Sequence, residues 1–126
     1  MGSIMPKPRI VIVEDEKPIA KAEALILKEH YEVHIAHDGE EGWKTVQQVK
    51  PHAVVLDVMM PKINGFELCK MIREHDDLAT TKIVMVTAKN QDKDENRGMD
   101  LGADDYIMKP FEPVELLHVL RQVLKD

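Results

Sequence analysis

The stretch Ala53-Val54-Val55-Leu56-Asp57-Val58-Met59-Met60-Pro61-Lys62-Ile63-Asn64-Gly65 decides the fold. It begins as an unbroken apolar run, stops at one carboxylate and then meets turn residues. A strand without polar alternation has no face in water, so this run reads as a parallel strand covered by helices on both sides. Asp57 becomes its last residue, and in open parallel sheets ligands bind beyond the carboxyl ends of the strands. Seen alone, a strand-end Asp more often caps a helix or begins a turn. The other strands must supply the reason to read it differently.

Working outward, Arg9-Ile10-Val11-Ile12-Val13 is a second continuous β-branched run, and it too stops at acids, Glu14-Asp15-Glu16. Pro18 suits a first helical turn, and Ile19, Ala22, Ile26 and Leu27 are expected to form that helix's buried stripe. A short strand is expected over 32–36 and a helix from Asp38-Gly39, with Trp43, Val46 and Val49 inward. Beyond the Asp57 strand, Asn64-Gly65 leads into a third helix with Phe66, Cys69 and Ile72 on one face. Ile83-Val84-Met85-Val86 is a fourth buried strand ending at Thr87, followed by a polar helix over 92–101 that Gly102 closes. Tyr106-Ile107-Met108 is a fifth strand ending at Lys109-Pro110, and a last helix runs over 113–125 with Leu116, Leu117, Leu120, Val123 and Leu124 buried. This alternation predicts an α/β fold, a doubly wound five-stranded parallel sheet of flavodoxin-like order 2-1-3-4-5.

The chain of 126 residues fits one domain, read as 9–126, behind an N-terminal tail over 1–8 whose Met1-Gly2-Ser3 has the composition of an expression remnant. A net charge of −6 argues against a direct nucleic-acid surface, which needs clustered Lys and Arg. No apolar run is long enough to span a bilayer and no signal segment opens the chain, so a cytoplasmic protein without membrane contact is expected. Cys69 is the single cysteine, which rules out an internal disulfide and leaves it a half-buried packing role. The scattered His residues read as surface or packing groups.

Four expected strands therefore end in Asp15, Asp57, Thr87 and Lys109. In the order 2-1-3-4-5 the first and third strands are neighbours, roughly 4.8 Å apart, so Glu14, Asp15 and Asp57 converge on one small volume. Carboxylates that close repel unless a cation sits between them, and an oxygen-only set suits Mg²⁺, with Mn²⁺ as a substitute. Lys109 adds a compact positive charge and Thr87 a hydroxyl able to donate to a phosphoryl oxygen. Together these parts describe a phosphoryl-acceptor site with Asp57 as nucleophile.

Taken in order, Val13-Glu14-Asp15-Glu16, Leu56-Asp57-Val58-Met59-Met60-Pro61 with Asn64-Gly65, Val86-Thr87-Ala88, Gly102-Ala103-Asp104-Asp105-Tyr106 and Lys109-Pro110-Phe111 closely resemble the receiver domain of two-component response regulators. The resemblance implies that Asp57 is the phosphoacceptor. It implies a metal site of Asp15, Asp57, the Met59 backbone carbonyl and, through water, Glu14. Thr87 and Tyr106 become a switch pair, Lys109 a phosphoryl ligand, and the Lys109–Pro110 bond cis. The implied donor is a sensor histidine kinase or histidine phosphotransfer protein. The implied output face comprises the fourth helix expected over 92–101, the fifth strand and the last helix. The protein is then not an enzyme beyond self-phosphorylation from small donors and autodephosphorylation.

Two positions tune the kinetics in such domains, Met59 and Lys89. A Met cannot hydrogen-bond the hydrolytic water, so a slowly hydrolysed acyl phosphate is expected. Asp104, Asp105, Glu115 and Arg121 fit the charged dimer network of winged-helix regulators, whereas Glu95 and Val119 depart from it and weigh against dimerisation on phosphorylation. An aspartyl-nucleophile phosphatase would need a second acid where Met59 stands. A nucleotide- or flavin-binding domain would need a Gly-rich loop after the first strand. A scaffold that binds partners without phosphorylation would not need the acid, Thr and Lys set.

Overall fold

The computed structural model describes residues 6–60, 62–88 and 100–125. Five parallel strands form one sheet in the order β2-β1-β3-β4-β5, as expected from the sequence. They are β1 (Arg9–Val13), β2 (Glu32–Ala36), β3 (Ala53–Asp57), β4 (Lys82–Ala88) and β5 (Asp105–Lys109). The helices are α1 (Lys17–Leu27), α2 (Gly39–Val49), α3 (Gly65–Glu74) and, at the end of the chain, α4 (Pro113–Val123). The helix expected over 92–101 lies outside the described residues except at its end, as do Pro61, Lys89 and Glu95.

The continuous apolar strands divide their side chains between two cores. Val11, Val13, Val54, Leu56, Ile83 and Met85 face α2 and α3, where Val46, Phe66, Leu68 and Ile72 meet them. Ile10, Ile12, Val55, Val84, Val86 and Ile107 face α1 and α4, where Leu27, Leu116 and Leu120 close the second core. Period-two alternation thus persists with both faces apolar, which is why the sequence does not display it. Every residue of β3 is buried. Truncating a fully buried side chain such as Leu56 to alanine costs about 2–5 kcal/mol.

The helix starts are specified locally. Asp38 caps α2 by accepting from the Glu41 amide at 2.8 Å. Asn64 caps α3 through a reciprocal box, accepting from the Glu67 amide at 3.0 Å while its own amide donates to Glu67. Pro18 and Pro113 lie in the first turns of α1 and α4, where a missing N–H leaves no gap.

Two readings of burial need correction. The inward face of α1 is Ala20, Glu23 and Leu27, while Ala22 is exposed and Ile19 and Ile26 are half-buried. Apolar residues alone do not set a helix's rotation; packing fixes it by Ala20 and Leu27 and carries Glu23 in with them. Cys69 is fully buried, not half-buried; burial pushes its thiol up to about 11, so it stays protonated and inert. In α4, Leu116 and Leu120 are buried, with Leu117 and Val123, and Leu124 just past its end, packed at the margin. The last two strands are longer than their apolar cores suggest: β4 runs on to Ala88, and β5 gains Asp105 and Lys109.

Candidate functional site

The register of the sheet assembles the site at the carboxyl ends of the strands. Val13 pairs with Leu56, so Glu14 and Asp57 are the next residues along neighbouring strands. Asp57 pairs with Val86, which places Thr87 one step beyond it on β4, and Ala88 pairs with Lys109. Asp57 is 6%, Glu14 2% and Thr87 3% exposed, while Asp15 stands in solvent.

Each carboxylate oxygen of the buried pair has a donor. The Lys109 ammonium donates to Glu14 Oε1 at 3.0 Å and to Asp57 Oδ2 at 3.1 Å. The Glu16 amide donates to Glu14 Oε2 and the Met59 amide to Asp57 Oδ1, both at 3.1 Å. Amides at i+2 reach back because the chain turns sharply at each strand end. Gly65 is required there: a Cβ at this position would meet the Asp57 carbonyl oxygen and lie 2.8 Å from the Val58 Cα. Its amide donates to the Val58 carbonyl at 3.0 Å, locking the start of α3 against the Asp57 turn.

Three carboxylates share this corner with one ammonium. Burial, reinforced by Asp57, raises the Glu14 pKa from its ordinary 4.5 to about 7 against the opposing bonds from Glu16 and Lys109. Burial disfavours the Lys109 charge, yet its bonds to Glu14 and Asp57 outweigh that and hold it above the usual lysine value. Glu14, Asp15 and Asp57 can each offer an oxygen within 4.8 Å of the others, the one such acidic group among the described residues. An all-oxygen set with excess negative charge fits a hard divalent cation such as Mg²⁺ or Mn²⁺.

The remaining expected residues lie around this corner. Met59 is 73% exposed beside Asp57. Tyr106, on β5 opposite Met85, is half-buried against the α2/α3 core. The Lys109–Pro110 peptide is cis. Asp104 binds within the chain, accepting from Arg73 Nη2 at 2.6 Å and the Ile83 amide at 2.7 Å.

Residues 10–121 match the response regulator receiver domain family. The chain is a member of this family. It is 42% identical over 118 residues to the response regulator ArlR of Staphylococcus saprophyticus, covering 93% of this chain and 52% of that relative. It is 45% identical over 114 residues to the transcriptional regulatory protein DltR of Streptococcus agalactiae, covering 90% and 50%. The chain thus spans about half the length of these curated relatives. The chemotaxis response regulator CheY4 of Vibrio cholerae superposes with a TM-score of 0.88 at 31% identity, covering 94% of this chain and 99% of that one.

The receiver domain is a phosphorylatable signalling module of two-component systems, where response regulators take phosphate from histidine kinases and act on output domains. Receiver domains bind Mg²⁺ through acidic residues of the kind clustered here. Among the described residues, no helix is long and apolar enough to cross a membrane.

Two features of this corner escaped the sequence reading. Glu23 is 5% exposed and close enough for Glu14 and Asp57 to act on it electrostatically. Its spacing of three from Ala20 and four from Leu27 was the available signal. The closeness of Gly65 to Asp57 was hidden because the two lie eight positions apart across a turn whose shape only packing sets.

Proposed function

We propose that Asp57 accepts a phosphoryl group from the phosphohistidine of a partner histidine kinase or phosphotransfer protein. The observation that carries this reading is the Lys109 ammonium bound to both Glu14 and Asp57 at the end of the sheet. Asp57 Oδ attacks phosphorus, the P–N bond breaks with the imidazole leaving, and an acyl phosphate forms on Asp57. Lys109 is within reach of the phosphoryl oxygens and can follow them from the carboxylate, and the Thr87 hydroxyl, one residue beyond the level of Asp57, can donate to them. The Met59 amide orients Asp57 by holding Oδ1.

Asp15, Asp57 and the Met59 carbonyl would hold Mg²⁺, with Glu14 acting from behind; the ion supplies charge neutralisation for the incoming phosphate. Exposed Asp15 and buried Glu14 suit these two roles. Met59 carries no group to orient water at Asp57, which favours a long-lived acyl phosphate.

Phosphorylation then shifts an existing equilibrium between two arrangements, with Thr87 and Tyr106 as the switch pair and the face of β5, α4 and the 92–101 segment engaging an output partner or domain. The relative named as a transcriptional regulatory protein suggests gene control as that output. Residues 9–126 act as the receiver unit, without catalysis beyond self-phosphorylation from small donors and autodephosphorylation.

Incubation with acetyl phosphate and Mg²⁺, read by intact mass, tests the acceptor. One phosphoryl adduct is expected in the wild type and none in Asp57→Asn or when the metal is chelated; an adduct that persists in Asp57→Asn would overturn the assignment.

A further inference from the structure

On the α1/α4 side of the sheet lies a cavity of about 600 Å³. Its wall is apolar, with Ile19 and Ile26 from α1, Phe111 from the β5–α4 turn and Leu116 from α4, and Lys109 at one end. One acid is set into that wall. Glu23 is 5% exposed, and neither of its carboxyl oxygens has a hydrogen-bond partner among the described residues.

An unpaired buried carboxyl is costly to ionise, and burial, with Glu14 adding to it, pushes the Glu23 pKa up to about 8, so an ammonium seated against it would favour the ionised form and release that proton. The neighbouring cation relieves it only in part and through space, because the Lys109 ammonium is held by Glu14 and Asp57. Glu23 therefore needs a donor from elsewhere, and the lining needs hydrocarbon. The volume lies within the range of small-molecule sites, roughly 300–1,000 Å³. An anionic ligand would meet Glu23 with Glu14 and Asp57 behind it, and a pure hydrocarbon would leave Glu23 unpaired.

We propose that this cavity binds a small apolar amine, an alkyl- or arylalkylammonium whose charged head donates to Glu23 and whose hydrocarbon part covers the wall between α1 and α4. The site adjoins the carboxylate cluster through Lys109 but takes its ligand on Glu23, and the proposal does not depend on phosphorylation of Asp57.

Phenylethylamine and its uncharged counterpart phenylethanol serve as probes, titrated at neutral pH into isotope-labelled wild-type protein and followed by amide resonances. Saturable shifts centred on Ile19, Glu23, Ile26, Phe111 and Leu116 are expected for the amine, with the alcohol at least about tenfold weaker. Glu23→Gln should abolish that preference. Ala22→Phe, a change at an exposed α1 position on the cavity lining, should block both probes while leaving Glu23 in place. Absence of saturable shifts at these residues, equal affinity for amine and alcohol in the wild type, or undiminished amine binding in Glu23→Gln would each overturn the proposal. Should Glu23→Gln fail to fold, the amine-to-alcohol ratio in the wild type and the response of Ala22→Phe decide it.

Discussion

The amino and carboxyl ends of the same sheet both enclose charged groups, and they resolve the burial in opposite ways. At the amino end, cations meet carbonyl oxygens. Arg73 donates to the Gly102 and Thr81 carbonyls at 2.8 and 2.6 Å and to Asp104 at 2.6 Å. Arg9 donates to the Val49 and Lys50 carbonyls at 3.1 and 2.9 Å, and the Thr81 hydroxyl to Pro51 at 3.0 Å. These bonds tie loop carbonyls that the sheet cannot use. At the carboxyl end, two buried carboxylates share Lys109 with Asp15 close by, and the raised Glu14 records chiefly its burial, with repulsion from Asp57 adding to it. One end is satisfied and holds the fold, whereas the other is held in tension that an incoming cation and phosphoryl group can relieve.

Arg73→Leu should have the largest effect on stability. It removes three bonds and takes from Asp104 its cation, leaving that carboxylate only the Ile83 amide, at a cost of about 3 kcal/mol by urea denaturation. Acetyl-phosphate labelling of the folded fraction should be unchanged. Loss of labelling would mean that the two ends are coupled.

Lys109→Ala should cost about 2 kcal/mol at pH near 8, since it leaves Glu14 and Asp57 as opposed buried charges. Lys109 holds the Glu14 pKa down, so without it Glu14 takes up its proton at a higher pH than the wild type's value of about 7, and the deficit should shrink as the pH falls toward about 7 and stay level below it. Urea midpoints on either side of that pH check it, and a constant deficit would show that Lys109 contributes packing rather than charge.

Glu23 belongs to neither pattern, being buried without a hydrogen-bond partner among the described residues. In the folded chain it keeps its proton to about pH 8, whereas the unfolded chain releases it near the ordinary 4.5. The folded state binds more protons across that window, so stability falls as pH rises through it. Glu23→Gln should flatten the stability profile there by up to about 1.4 kcal/mol per pH unit. An unchanged slope would place an ionised Glu23 in the folded protein.

The smallest effect carries the opposite sign. Asp57→Asn should stabilise the metal-free fold by about 1 kcal/mol, because it removes one of the carboxylates competing for Lys109. A rise in thermal midpoint tests this. A fall would mean that the ion pair with Lys109 outweighs the repulsion.

The sheet was legible because its strands are written as runs. Arg9–Val13 and Ala53–Asp57 were found with their observed limits, and the acids at their ends pointed to the corner where Glu14, Asp57 and Lys109 meet. Strand ends were less legible where the pattern turns polar, as at Asp105 and Lys109, because β pairing continues through residues whose side chains need not be buried. The rotation of α1 was misread because hydrophobicity was counted without knowing which side faced the sheet. A helix turns as a rigid body, and Ala20 and Leu27 took Glu23 inside with them.

By itself, the sequence determined the element order, the parallel sheet, the family and the residues brought to the carboxyl end, because each depends on local periodicity and on the order of short motifs along one chain. The tertiary structure alone decided that one lysine bridges both buried acids, that Gly65 must lack a side chain beside Asp57, and that Glu23 lies in an apolar wall with no hydrogen-bond partner among the described residues. Those facts depend on distances between segments far apart in the chain, which are set when two helical layers close on the sheet.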